Sequence, residues 1–185
     1  MLKFRELTKD EIECRIGMVS RDGKGLSLLL YKDARCDMRI LDETVGAENW
    51  QNRFYEHKGI LFCSVGINTN FDKPEAPDRW VWKDDAGVES NTEAEKGNAS
   101  DARKRAGVAW SIGRSLYTAP FIWIKAEDCN MKQEKGRNGD EWKCKDTFAV
   151  EKIIIKDGEI AALAIWNKTK NCRAFVWQKE AKKNA

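Results

Sequence analysis

The segment 99–121 carries the residues whose types and spacing are best suited to binding phosphate groups. One face of the helix predicted here combines cations with small residues, namely Arg103, Lys104, Gly107, Ser111 and Arg114. Small side chains let a phosphate backbone approach closely, and the cations neutralise its charge. This face therefore indicates a nucleic-acid ligand, and the alternative is the solvated charged face of an ordinary core helix.

The element that must position these residues is a helix over 100–117. Ser100 is a preferred N-cap residue, and Asp101 suits the first turn because its carboxylate meets the positive end of the helix dipole. The helix should end near Tyr117, because Pro120 disfavours a helical conformation for the residue before it. The apolar side of this helix consists of Ala102, Ala106, Ala109, Trp110, Gly113, Leu116 and Tyr117. An apolar arc of this width predicts that the helix docks on a sheet.

A second group of residues that could do chemistry is acidic and consists of Asp84, Asp85, Glu93, Glu95 and Asp101. Convergent carboxylates can hold a divalent metal, so a metal-dependent nuclease is an alternative function. Adjacent residues on a strand point to opposite faces, however, so Asp84 and Asp85 should not converge. We therefore interpret this group as solvated surface.

The sequence lacks the common motifs for nucleotide binding, nucleophilic catalysis and zinc binding. There is no GxxxxGK[ST] or GxGxxG phosphate loop, which argues against ATP-driven work and predicts no cofactor. His57 is the only histidine, and neither a GxSxG elbow nor a catalytic-cysteine motif accompanies it, so we interpret it as a loop residue. The 6 cysteines lie far apart without a CxxC pair, which disfavours a zinc site and a metal ligand set and predicts free or buried thiols.

Composition sets the outer limits of the fold and the compartment. The chain has 185 residues and is 42% hydrophobic, which is enough for a sizeable core in one domain with additions. The net charge is only +3, but cations are concentrated in 100–117 and near the end of the sequence. No run of about 18 apolar residues could span a bilayer, and the first residues are too charged for a secretory signal. We expect a cytoplasmic protein with no membrane partner.

Two more predicted elements carry cations. Strand-like runs on either side of a turn at Lys24 predict a β-hairpin, with Arg15 on its first strand. Asp33 should cap a helix that carries Arg35 on its surface. These cations could add to the basic surface of the helix over 100–117.

Two strands are predicted just before that helix. The runs 60–67 and 79–88 should pair antiparallel, and alternation places Trp80 and Trp82 on one face of the second strand. The two indoles could stack nucleic-acid bases. We favour the alternative that they are core or cross-strand aromatics, because sheets bury aromatic side chains more often than they present them.

The residues of three segments together resemble the annealing domain of the Rad-fifty-two type, Sak-like single-strand annealing proteins of phage recombination systems. The segments are ARCDMRILDETVGAENWQ, DDAGVES and EKGNASDARKRAGVAWSIGRSLY. The most specific part is a Ser/Thr-Asp-x-x-Lys-Arg-Ala helix after a β-hairpin, with a helix-Gly-x-x-x-Trp element upstream at Gly46 to Trp50. The resemblance covers roughly Thr8 to Ile124.

The resemblance implies an α+β fold with a β-β-β-α single-strand-annealing core, in which an antiparallel sheet packs on a long helix. It implies the core over 1–125, and we expect a polar loop or insertion over 126–146, a C-terminal β-meander over 147–178 and a basic tail over 179–185. Such proteins assemble side by side into a homo-oligomeric ring or helical filament, with single-stranded DNA in an outer basic groove. A single-strand-binding protein of the host or phage is a further expected partner.

The family's groove-lining lysine and arginine match Lys104 and Arg105, and a first-strand arginine matches Arg15. A further basic residue of the family is replaced here by Val108, a role that Arg103 or Arg114 can take. We do not carry over the second, outer DNA site of eukaryotic members. The full predicted DNA-binding set is Lys104, Arg105, Arg15, Arg103, Arg114, Lys24 and Arg35.

The function that follows is annealing of complementary single strands in homologous recombination and double-strand break repair, without ATP, catalytic residues or metal. Cations would hold the phosphates while exposed bases sample a complementary strand. The alternatives are a metal-dependent nuclease or other nucleic-acid enzyme, and a passive single-strand coating protein.

Overall fold

A computed structural model describes residues 2–87, 94–136 and 139–180. The described strands, in chain order, are β1 (Ile12–Val19), β2 (Gly25–Lys32), β3 (Trp50–His57), β4 (Ile60–Asn68), β5 (Trp80–Ala86), β6 (Ile122–Lys125), β7 (Met131–Gly136), β8 (Gly139–Cys144), β9 (Phe148–Lys156), β10 (Glu159–Asn167) and β11 (Cys172–Gln178). The described α-helices are α1 (Ala34–Val45) and α2 (Ala94–Ala109).

The predicted α+β fold is wrong. The structure is mostly β, with 48% strand and 23% helix. Within the described residues, the larger sheet is antiparallel and nearly closed, and is not the sheet packed on a long helix that the annealing core requires. The helix expected over 100–117 ends early: α2 stops at Ala109, and positive φ angles at Ser111 (76°) and Gly113 (66°) turn the chain out of the helix. A 3-10 helix, Arg114–Thr118, follows, and Tyr117 is 70% exposed instead of buried.

The chain divides into two compact units, each built from separate segments. Unit 1 contains Lys32–Arg114 with the N-terminal segment up to Leu7, and unit 2 contains Thr8–Tyr31 with the chain from Ser115 onward. The sequence predicted consecutive domains, whereas the units interleave. The first hairpin therefore belongs largely to unit 2, and the predicted basic helix belongs to unit 1.

Unit 1 contains an antiparallel three-stranded sheet in the order β3-β4-β5. The central strand β4 buries Cys63, Val65 and Ile67 on one face, and α2 contributes the buried Ala102 and Ala106. Small alanine side chains let the helix backbone come close to β4 and β5, which α2 contacts. The predicted pairing of the runs at 60–67 and 79–88 is confirmed by the register Gly66↔Trp82, although Val88 lies outside the described residues.

Helix α1 of unit 1 forms as predicted from its cap. The Asp33 side chain accepts a hydrogen bond from the backbone N–H of Arg35 at 2.5 Å, and Gly46 ends the helix with φ 85°. The sequence did not predict β3, and His57 lies on this strand opposite Ile60 instead of in a loop.

Unit 2 contains a six-stranded antiparallel sheet in the order β11-β10-β9-β1-β2-β6. The sheet is nearly closed, because its edge strands β11 and β6 contact each other. The predicted C-terminal meander exists as β9-β10-β11, but it continues the sheet of the first hairpin through the pair Glu13↔Ala149. Its core consists of apolar side chains that are at most 3% exposed, including Leu26, Leu28, Ile122, Ile124, Ile160, Leu163 and Ile165.

The segment 126–146 is not the polar loop that the sequence predicted. It begins with a 3-10 helix, Ala126–Asp128, and continues as the hairpin β7-β8, with Gly136 opposite Gly139. Most residues of β7 and β8 are polar, so the alternation of apolar and polar residues that identifies a strand is missing. Arg137 and Asn138 lie outside the described residues, as do 181–185 of the predicted basic tail.

Candidate nucleic-acid interface

Arg105 and Arg114 of the predicted DNA-binding set are engaged locally within unit 1. Arg105 forms an ion pair with Asp85, with 3.2 Å between Nε and Oδ1. Arg114 donates hydrogen bonds to the backbone carbonyls of Val108 at 2.9 Å and Ala109 at 3.0 Å. These carbonyls belong to the last turn of α2, where the helix offers no intrahelical donor, so Arg114 acts as a C-terminal cap.

Arg103 turns toward the protein. Its guanidinium lies 5.4 Å from the ring centroid of Phe54 and 3.5 Å from Met38 Sδ, and its Nε is buried without a hydrogen-bond partner among the described residues. Burial of this side chain joins α1, α2 and β3. Arg103 is therefore a poor donor to an external phosphate in this conformation.

Lys104 and Arg35 are the members of the set that keep their charges available. Within the described residues, neither side chain has an ion pair or side-chain hydrogen bond, and Arg35 is exposed. Arg35 lies on α1 and Lys104 on α2, and these two helices of unit 1 contact each other. We call Arg35 and Lys104 the junction cations.

Arg15 and Lys24 lie in unit 2 and are paired with carboxylates on their own hairpin. Arg15 forms an ion pair with Glu13 at 2.8 Å, and its guanidinium lies 5.0 Å from the ring centroid of Tyr31. Lys24 forms an ion pair with Asp22 at 2.9 Å, and the hydrogen bond from Lys24 lowers the pKa of Asp22 to about 2. The charges of Arg15 and Lys24 are therefore neutralised by carboxylates of the same hairpin.

A buried ion pair lies beneath the helices of unit 1. Lys32 Nζ is 2.6 Å from Asp37 Oδ1 and also donates to the carbonyl of Ile112 at 2.6 Å, and the side chains are 5% and 2% exposed. Gly107 makes room for it, since a Cβ there would lie 2.6 Å from Asp37 Oδ2. Burial raises the pKa of Asp37 to about 6 and lowers that of Lys32, although each group favours the charged form of the other. The face that the sequence assigned to phosphate contact at Gly107 is instead occupied by this pair.

The sheet of unit 1 has a second face, on the side away from Cys63, Val65 and Ile67, that carries aromatic rings. Strand register puts Arg53, Tyr55, Phe62, Trp80 and Trp82 on it, together with polar residues that include Ser64 and Asp84. We call this set the aromatic face. The prediction that the two indoles share a face is confirmed, since their rings stack with centroids 6.1 Å apart.

The aromatic face is held in order by stacking. Tyr55 stacks on Phe62 with ring centroids 5.3 Å apart and an interplanar angle of 11°. The guanidinium of Arg53 lies 4.1 Å from the ring centroid of Trp82. Gly66 opposes Trp82 across the strands, and a Cβ on it would lie 2.6 Å from the indole, so only glycine lets the ring lie over β4.

The aromatic face is open to solvent in part. Tyr55 is 42% exposed, Arg53 is exposed, and both tryptophans and Phe62 are half-buried. Exposed π-faces beside a guanidinium can stack nucleic-acid bases without regard to sequence. The sequence missed Arg53 and Tyr55 because their strand was not predicted; the Lys58-Gly59 turn, with φ 52° and 76°, was the signal for a hairpin there.

The acidic pair behaves as predicted in one respect and differs in another. Asp84 and Asp85 point to opposite faces: Asp84 accepts hydrogen bonds from Ser64 and, at 3.0 Å, from the Tyr55 hydroxyl. Asp85 instead pairs with Arg105, so it is not simply solvated surface. Among the residues that the structure describes, no cluster of three His, Cys, Asp or Glu side chains could hold a metal, and Glu93 lies outside them.

The cysteines are free thiols, as the sequence predicted. Burial raises the pKa of Cys14 and Cys129 to about 12 and that of Cys63 to about 11. Because the thiolate is the reactive form, these three cysteines are poor nucleophiles.

Comparison with protein-family models, curated proteins and solved structures finds no match for this chain. Over the described parts of the chain, none of the helices combines the length and apolar character needed to cross a bilayer.

We expect Lys104→Ala to weaken binding of single-stranded DNA more than Arg105→Ala does. Lys104 has no ion pair to lose within the described residues, whereas Arg105 is held by Asp85. Loss of one phosphate contact should reduce the slope of log affinity against log salt by about 0.7 for single strands. A salt titration of oligonucleotide binding measures both slopes, and circular dichroism checks that each variant is folded. Equal slopes for folded Lys104→Ala and the wild type would contradict the expectation.

Proposed function

We propose that this chain binds single-stranded DNA and anneals complementary strands without nucleotide hydrolysis. The observation that carries the proposal is the aromatic face, where two stacked aromatic pairs and Arg53 lie on one partly exposed side of a sheet. Base–aromatic stacking contributes about 1–3 kcal/mol per base and tolerates any sequence, as annealing requires.

The junction cations belong to α1 and α2, the helices on the side of the sheet away from the aromatic face, so they offer the phosphates a separate contact. Arg35 and Lys104 have no internal ion pairs among the described residues, so little is lost when they contact a phosphate backbone. Stacking on unit 1 would retain a strand loosely while its remaining bases stay free to pair. Base pairing then supplies the driving force, and the protein needs no cofactor.

Homologous recombination and double-strand break repair are the processes in which such annealing acts, and we propose a ring or helical homo-oligomer as the working form. A host or phage single-strand-binding protein is the proposed source of the coated strands. These assignments rest on the resemblance of the helix and hairpin motifs, not on the fold.

The central test distinguishes the contribution of the Tyr55 ring to DNA binding from that of its hydroxyl. Tyr55→Leu removes the π-face, whereas Tyr55→Phe keeps the ring and loses only the hydrogen bond to Asp84. We expect Tyr55→Leu to bind a labelled single strand more weakly by about 1–3 kcal/mol, and Tyr55→Phe to bind like the wild type. Fluorescence anisotropy measures the affinity, and annealing of two labelled complementary strands without ATP measures the activity.

Tyr117→Leu is the matched control, because Tyr117 is 70% exposed and lies in the other unit. Equal losses in Tyr55→Leu and Tyr117→Leu would contradict a specific role for the aromatic face. Adding magnesium to the annealing reaction distinguishes the alternatives: strand cleavage indicates a nuclease, and binding without faster annealing indicates a passive coating protein.

A further inference from the structure

Unit 2 contains a polar cleft that the proposed function does not use. The cleft has a volume of about 310 Å³ and lies beside the hairpin β7-β8. Its lining residues are Asn130, Lys132, Glu134, Lys143, Lys145, Asp146 and Thr169. Its three lysines lie beside the carboxylates of Glu134 and Asp146, and Glu141, which pairs with Lys143, adds a third carboxylate.

Two of the three lysines in the cleft lie close to each other on neighbouring strands. Lys132 and Lys143 are direct cross-strand partners, an arrangement in which like charges destabilise a hairpin. Lys143 is compensated by Glu141 at 2.8 Å and by Glu134 at 3.8 Å, and Lys145 by Glu134 at 2.7 Å. Lys132 has no ion pair within the described residues, so a bound anion would relieve its repulsion with Lys143.

The two other polar groups of the cleft fit an anion as well. The Thr169 hydroxyl oxygen accepts a hydrogen bond from the backbone N–H of Thr147 at 2.9 Å, which leaves its own hydrogen to donate. The Asp146 carboxylate is occupied by the amide of Asn130 at 2.9 Å and that of Asn167 at 2.7 Å, and by the Asn130 backbone N–H at 2.8 Å. Its charge is therefore directed into the protein and away from a ligand.

We propose that this cleft binds a phosphate group, with Lys132 and Lys143 as charge partners and the Thr169 hydroxyl as a donor. Lysine binds phosphate as a compact point charge, and a tetrahedral dianion can accept from several donors at once. The phosphate could come from inorganic phosphate or from the end of an oligonucleotide. The proposal stands on unit 2 alone and does not depend on the proposed role of unit 1.

The test titrates the intact chain with three probes at low salt: inorganic phosphate, a 5′-phosphorylated trinucleotide and the same trinucleotide without the terminal phosphate. NMR shifts of the Thr169 and Lys143 amides report binding in the cleft. We expect Lys132→Ala to lose about tenfold in affinity, as expected for one charge-assisted contact. Lys135→Ala, on the other face of the same strand, should bind like the wild type, because its side chain does not line the cleft.

Lys132-dependent binding of free phosphate supports the site with an inorganic source, and binding of the phosphorylated trinucleotide alone supports it with a nucleic-acid source. Shifts at Thr169 that are the same for both trinucleotides would overturn the proposal, because the terminal phosphate would then play no part. Absence of shifts with any probe, or equal losses in Lys132→Ala and Lys135→Ala, would overturn it too. Thr169→Val gives a second variant that leaves the charges unchanged, and it should also weaken binding.

Discussion

Replacing Lys32 with methionine is expected to destabilise the protein by about 3–5 kcal/mol, the usual cost of breaking a buried ion pair. The substitution leaves Asp37 charged and only 2% exposed, and it removes the donor to the carbonyl of Ile112. One oxygen of Asp37 already lacks a hydrogen-bond partner among the described residues, and Lys104 is then the cation that still favours its charged form. Urea unfolding followed by tryptophan fluorescence measures the free energy of unfolding.

The pH dependence of this variant identifies the cause of its loss. Burial already raises the pKa of Asp37 from its ordinary 3.8 to about 6, and removal of Lys32 should raise it further. A folded-state pKa above the unfolded one means that the folded state takes up the proton more readily, so stability increases as pH falls through the folded pKa. The deficit of Lys32→Met should therefore shrink between about pH 7.5 and about pH 5.5.

The double variant Lys32→Met/Asp37→Leu is the control for this pair. Replacing both charges with apolar side chains of similar volume is often neutral or stabilising, so most of the lost stability should return. A deficit in Lys32→Met that is independent of pH, or a double variant as unstable as the single one, would contradict the role assigned to the uncompensated carboxylate.

Trp110→Ala is expected to destabilise the protein by about 3–5 kcal/mol, as large-to-small substitutions in cores do. Trp110 is 8% exposed, and its indole N–H donates to the carbonyl of Val65 at 2.9 Å. Lys83 Nζ lies 4.4 Å from the ring centroid and donates to the carbonyl of Ala109 at 3.0 Å, so the indole also positions the lysine that satisfies the end of α2.

Two further variants separate the contributions of Trp110. Trp110→Phe keeps most of the apolar area but leaves the Val65 carbonyl without its donor, which should cost about 1–3 kcal/mol. Tyr117→Ala, at a 70% exposed position, should stay within about 0.5 kcal/mol of the wild type. A Trp110→Ala variant as stable as Tyr117→Ala would show that the indole does not hold α2 on β4.

Local signals in the sequence were reliable where neighbouring residues decide the conformation. Asp33 predicted a helix cap because its side chain reaches the N–H two residues on, and the structure has that bond. Alternation predicted that Trp80 and Trp82 share a face, because strand geometry has a period of two.

The wrong predictions concern contacts between distant segments. The helix was extended to Tyr117 because Pro120 was the next residue that disfavours helix, but left-handed backbone at Ser111 and Gly113 ends it earlier. Only the packing around Trp110 and Lys32 shows why the chain must turn there. Strand β3 has little hydrophobic alternation, because much of its surface is exposed, and it forms through its pairing with β4. The fold class was wrong because the meander was treated as a separate addition.

The sequence by itself determined the first hairpin, the cap of α1, the paired strands around the tryptophans and the meander, because turn residues and strand periodicity act within a few positions. Only the tertiary structure decided which cations remain available. Arg103 is buried against Phe54, Arg114 caps α2, and Arg105 is held by Asp85, while Lys104 keeps its charge free of ion pairs among the described residues. The tertiary structure also decided that β9 pairs with β1 and that the Arg53 guanidinium lies over Trp82. Both contacts link segments that are far apart in the chain, and the sequence of each segment does not identify its partner.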